Sequence, residues 1–143
     1  LLKDDKSYPY IVITNDEYPR LLKYRGNRKL KGTDFSVGWI NLPELTCIYY
    51  DYPNGLSIGV SSQRITDVYW NDKYILAKRC ANTNDSLIGY YIITILPKNT
   101  RPVPWECSEL LSEEEYELSK EQLGLDEQEM RHTNIFERKF LWW

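Results

Sequence analysis

A chain of 143 residues with 42% hydrophobic and 27% charged side chains has the balance of an ordinary folded domain, which excludes intrinsic disorder over its bulk. The net charge of −3 gives no overall basic character, so the reading from charge alone is that nucleic acid is not a partner. No apolar run approaches the roughly 18 residues of a membrane span, and residues 88–96, the longest candidate, are of strand length.

Residues 1–7 are polar and expected to fray, and residues 8–14 read as a first strand from their β-branched and aromatic content. Signals conflict between residues 18 and 32, where Gly26-Asn27 marks a turn. Phe35, Val37 and Trp39 then alternate at the strand period of two. Residues 45–52 and 56–60 flank Pro53-Asn54-Gly55, in which Asn-Gly supplies the positive φ angles of a tight hairpin. A second hairpin joins residues 65–70 to 73–79 through Asn71-Asp72, with Val68 and Trp70 alternating against Asp67 and Tyr69. Residues 81–86 form a polar loop, and residues 88–96 are apolar enough for a strand covered on both faces.

Three prolines make residues 97–104 a connection. Beyond it, Ser112 and Glu115 have the spacing of a helix-capping box, and Gly124 is the expected stop. Leu111, Leu118 and Leu125 recur every seven residues, and Tyr116 pairs with Leu123 in the same way, as an apolar stripe to lie on the sheet. One or two helical turns over residues 126–132 and an aromatic strand or docked tail over 135–143 complete the chain. The sum is an α+β fold: a single domain over residues 1–143, with a twisted antiparallel β-meander of five to seven strands and one main C-terminal helix packed on it.

Chemistry-bearing patterns are sparse. His132 is the sole histidine and its neighbours offer no catalytic motif, and the carboxylates at 113–115, 117 and 121 read as a solvated helix face. No phosphate loop, dinucleotide fingerprint or zincin motif occurs, so no cofactor, metal site or catalytic residue is assigned and the expectation is a non-enzyme. Cys47, Cys80 and Cys107 lack metal spacing; in an oxidising compartment two of them form a disulfide, and the pair is left open. Residues 20–31 carry six cations and no acid, whereas residues 109–129 are mostly acidic. The basic stretch serves either an anionic partner or a diffuse ion-pair network beside the acidic helix, with the network preferred. The candidate partner-binding residues are Arg25, Arg28 and Lys29 for charge, and Trp105, Trp142 and Trp143 as aromatic surface.

The run Val68-Tyr69-Trp70-Asn71-Asp72-Lys73-Tyr74-Ile75-Leu76-Ala77-Lys78, with Tyr90-Tyr91-Ile92-Ile93, Ser112-Glu113-Glu114-Glu115-Tyr116 and Leu123-Gly124-Leu125, resembles a family of small bacterial lipoproteins of unknown function across roughly the C-terminal half. A proline-rich segment at 97–105 is longer than that pattern carries. The resemblance implies export and lipid anchoring through an upstream cysteine, the sole membrane attachment envisaged, and the opening Leu1-Leu2-Lys3 is compatible with a processed form. The functional expectation is a cell-envelope domain binding a protein or glycan, with an inhibitor whose acidic helix plugs a basic enzyme site as the alternative. A cytoplasmic location is the fallback.

Overall fold

The computed structural model describes residues 28–38, 46–62, 64–80 and 88–134. The expected strand at 8–14, the loop at 81–86 and the tail at 135–143 lie outside the described residues, as do Arg25, Trp39, Trp142 and Trp143. The fold is α+β: nine strands divided between two antiparallel sheets, and one α-helix among the described residues.

The first sheet is a meander, β1 (Arg28–Lys29), β2 (Phe35–Gly38), β3 (Cys47–Asp51) and β4 (Ser57–Gly59), each strand beside its successor. The β3–β4 turn follows the Asn-Gly signal, yet only Gly55 takes a positive φ (90°). Gly55 N–H donates to Tyr52 O (3.0 Å) and Tyr52 N–H to Leu56 O (2.8 Å), so the loop has three residues, with glycine needed only at its last position.

The second sheet has the order β8-β7-β6-β5-β9, built from β5 (Ile65–Trp70), β6 (Tyr74–Arg79), β7 (Gly89–Ile95), β8 (Trp105–Cys107) and β9 (Arg131–Asn134). The β5–β6 turn centres on Asp72-Lys73, one residue beyond the expected centre, because the Asn71 carboxamide oxygen accepts from both the Lys73 and Tyr74 amides (2.8 Å each). β8 follows the prolines, where no strand is expected, and β9 replaces part of the helical continuation expected at 126–132; only Glu127–Glu129 forms a short 3₁₀ turn there.

Alternation in β5, β6 and β7 sorts side chains between two layers. Ile65, Val68, Trp70, Ile75, Ala77 and Ile93 meet Leu30, Phe35, Val37, Ile48 and Tyr50 of the first sheet in one apolar core. The opposite face carries Leu76 and Ile92, covered by Tyr116 of helix α1 (Glu113–Leu123). β7 is thus covered on both faces, as its apolar run implied. The crossing is forced by topology: the chain leaves edge strand β8 and must reach β9 at the other edge, so α1 passes over the sheet.

Helix α1 has the expected caps. Glu115 N–H donates to Ser112 Oγ, Ser112 N–H donates to the Glu115 carboxylate, and Gly124 ends the helix at φ 70°. Of the seven-residue stripe, Leu111, Tyr116 and Leu125 pack over the outer face and Leu118 and Leu123 do not. Tyr116 is the buried residue of α1, whereas Leu118 and Leu123 are 54% and 42% exposed. Leu118 lies about 200° around the helix from Tyr116 and so faces away from the sheet, while the Tyr116 ring stacks on Tyr90 (3.9 Å between centroids).

The two sheets are also tied by polar contacts at the β1–β2 turn. Lys31 O accepts from the Trp70 indole N–H (2.9 Å) and from Arg131 Nη1 (2.8 Å). Gly32, at φ 89°, lies so close to Arg131 that a Cβ there would stand 2.9 Å from Nη1.

Candidate functional site

Three of the six candidate partner-binding residues, Arg28, Lys29 and Trp105, lie within the described chain. β1 holds Arg28 and Lys29 against Val37 and Ser36 of β2. On the next strand Tyr50 pairs with Phe35 in register, and the rings meet edge to face at 5.0 Å. Tyr52 continues the aromatic row, 4.8 Å from Tyr50 and nearly perpendicular to it. Trp105 reaches this row from the second sheet, 5.3 Å from Tyr50 and 6.3 Å from Phe35. Trp105 is half-buried and closes the edge of the core rather than standing out as a platform. Tyr52, also half-buried, is the ring of this row that borders solvent beside a cleft.

That cleft has a volume of about 290 Å³ and is walled by Tyr50, Tyr52 and Pro53, with Lys29 and Lys98 at its rim. Each lysine faces an aspartate: Lys29 Nζ is 3.3 Å from Asp51, and Lys98 Nζ is 3.7 Å from Asp34. Asp51 also accepts from Ser57 Oγ at 2.7 Å, so its orientation is fixed from two sides. The lysine side chains remain 52% and 79% exposed, and such pairs contribute roughly 0 to 1 kcal/mol each. An anion can therefore draw the ammonium groups away from their aspartates at small cost. Burial lowers the Arg28 pKa, yet an arginine remains a cation near neutrality.

The expected network between the basic stretch and the acidic helix is not how Lys29 and α1 are arranged. α1 lies on the outer face of the second sheet and β1 belongs to the first, on the other side of it. Lys29 pairs with Asp51, while Glu117 of the helix and Glu127 beyond it pair with Lys120 of the same helix (3.3 and 2.9 Å).

A second polar cluster sits under α1. Tyr116 Oη donates to Glu127, Lys120 Nζ donates to the same carboxylate, and the ammonium lies 4.5 Å above the Tyr116 ring. Burial pushes the Tyr116 pKa far up and the bond to Glu127 adds to it, which keeps the phenol a donor. Burial would raise the Glu127 pKa, but the bonds from Tyr116 and Lys120 outweigh it and hold the carboxyl below its ordinary value. His132 Nε2 lies 2.9 Å from Asp67 Oδ1, and its ring stacks on Tyr69 at 4.3 Å, so the sole histidine is fixed at the junction of β9 and β5. Sequence reasoning passed over Asp67 and Glu127 because their partners lie 65 and 11 residues away.

All three cysteines are thiols. Burial raises the pKa of each, that of Cys107 to about 11, which disfavours the reactive thiolate near neutrality. Among the described residues no cluster of His, Cys, Asp and Glu has the makings of a metal site, and no helix is long and apolar enough to cross a membrane.

Comparison with known proteins finds similarity over a short segment. The chain is 63% identical over 35 residues to UvrABC system protein C of Pseudoalteromonas translucida, 57% to that of Pasteurella multocida and 54% to that of Actinobacillus succinogenes. The segment is 24% of this chain and 6% of each relative, so the chain spans a small part of the length of the curated proteins it matches. No family model matches the chain. No solved structure matches it.

These matches overturn the lipoprotein resemblance, since they point to a different family. A hairpin, a strand and a capped helix recur wherever the same turn and cap chemistry recurs. Identity of 63% over 35 residues is not explained by shared secondary structure. With the resemblance go the envelope domain binding a protein or glycan and its inhibitor alternative. The exclusion of nucleic acid falls as well. Net charge averages the whole surface, and a chain at −3 still concentrates six cations within residues 20–31.

Proposed function

We propose that this chain has a nucleic-acid-related function, exercised through binding and with no reaction assigned. The observation that carries the reading is the 35-residue segment shared with UvrABC system protein C. Arg28 and Lys29 on β1, and Lys98 across the cleft, are the cations that would meet the phosphate backbone, with Trp105 supporting the aromatic wall behind them. Arg25 belongs to the same basic stretch of the sequence. A cytoplasmic setting accompanies the proposal.

The test is fluorescence anisotropy of labelled single-stranded DNA, duplex DNA and RNA titrated with the full chain at 50 and 200 mM salt. Binding that weakens on adding salt is expected, because each neutralised phosphate releases counterions. Absence of binding to every probe at 50 mM salt, with protein up to about 100 μM, would overturn the proposal.

A further inference from the structure

The cleft beside Tyr52 suggests which form of nucleic acid is bound. Resting on the nucleic-acid reading above, we infer that the ligand is single-stranded and that one unpaired base lodges against Tyr52 while Lys29 and Lys98 hold the flanking phosphates.

The cleft combines three features on one small surface. Tyr52 presents a half-buried ring whose partner Tyr50 meets it edge to face, and Trp105 backs Tyr50, so the aromatic wall is held from behind. A ring fixed in this way offers a stacking surface without a large loss of rotamer freedom on binding. Pro53 caps one side, and the volume of about 290 Å³ suits one small planar group and its solvent. A duplex keeps its bases stacked inside and has none to offer such a cleft, whereas a single strand does.

The rim supplies both signs of charge. Lys29 and Lys98 are exposed lysines held near the opening by weak pairs. Asp34, 40% exposed, is left as an acceptor when Lys98 turns to a phosphate, and a carboxylate accepts from the exocyclic amine of an unpaired cytosine or adenine. Thymine and uracil have no such amine. Asp51 remains engaged by Ser57, so Asp34 is the carboxylate assigned to the base. The arrangement therefore predicts a preference among unpaired bases as well as a preference for unpaired over paired strands.

The experiment is anisotropy titration of the full chain with labelled 20-mers of dC, dT and rC and with a mixed-sequence duplex, at several salt concentrations. Oligo-dC is expected to bind more tightly than oligo-dT by roughly three- to tenfold, the worth of one hydrogen bond, and more tightly than the duplex. Oligo-rC separates RNA from DNA as the source of the strand. Tyr52→Ala should weaken oligo-dC binding roughly fivefold or more, with Tyr52→Phe restoring it through the retained ring. Lys98→Gln, at a side chain too exposed to affect folding, should reduce the salt slope by about 0.7, the loss of one single-strand phosphate contact, while Lys78→Gln on the opposite face of the second sheet should leave it unchanged. Asp34→Asn should reduce the preference for oligo-dC over oligo-dT.

Equal or tighter duplex binding, or single-strand binding unmoved by Lys98→Gln and Tyr52→Ala, would overturn the inference and leave the nucleic-acid reading standing. No binding of any probe would overturn both.

Discussion

The two faces of the second sheet are held by different physics. The inner face is dry: Ile75, Ile93, Val68 and Ile65 are fully buried against Leu30, Val37 and Ile48, so stability there scales with apolar area removed from water. The outer face buries a smaller cluster, Leu76, Ile92 and Tyr116 with Leu111, Leu125 and Met130 beside them, and adds one aromatic stack and the Tyr116, Lys120 and Glu127 network. Helix α1 is thus a cover seated on the sheet through Tyr116 and the flanking Leu111 and Leu125, whereas the two sheets form the structural body.

The contrast is broken most directly in the core. Ile75→Ala should cost about 2–5 kcal/mol in chemical denaturation, since the site is enclosed on all sides and cannot collapse. Tyr116→Phe keeps the ring and removes the hydroxyl, and should cost about 1–3 kcal/mol by leaving the Glu127 carboxylate one donor short. The same network predicts a pH dependence. Because the folded-state pKa of Glu127 is lowered, its contribution is present above the unfolded carboxyl value of about 4.3 and is lost as the pH falls through the folded value. Thermal melts from pH 7 down to pH 3 should therefore show a smaller acid-side drop for Glu127→Gln than for the native chain. Ser112→Ala should cost about 1 kcal/mol through the lost cap, measured in the same melts. Leu118→Ala, on the solvent side of the helix, should change stability by no more than about 0.5 kcal/mol. A large effect there would mean that the outer face is covered by more than the described residues provide.

Local chemistry is what the sequence displays plainly. The β3–β4 turn, the alternation of β5, the double-sided burial of β7 and the capping box of α1 each depend on residues a few positions apart, and each is found where the pattern puts it. Of the stripe Leu111, Leu118 and Leu125, the middle leucine is exposed because it lies about 200° around the helix from the buried Tyr116. β8 and β9 are three and four residues long with polar members, and they are strands because β7 and β5 offer them open edges.

The candidate cleft shows the same division. Lys29, Tyr52 and Trp105 stand out in the sequence as a cation and two large rings, but nothing local relates residues 76 positions apart, and Lys98 and Asp34 carry no signal of their own. By itself the sequence determined an α+β chain of hairpins closed by a capped helix, because turn and cap preferences are short-range. Only the tertiary structure decided that the strands divide into two sheets, which face of the helix is covered, and that Lys29, Tyr52 and Lys98 border one cleft. Those outcomes follow from burying both sheets' apolar faces against each other, a long-range constraint that no window of neighbouring residues contains.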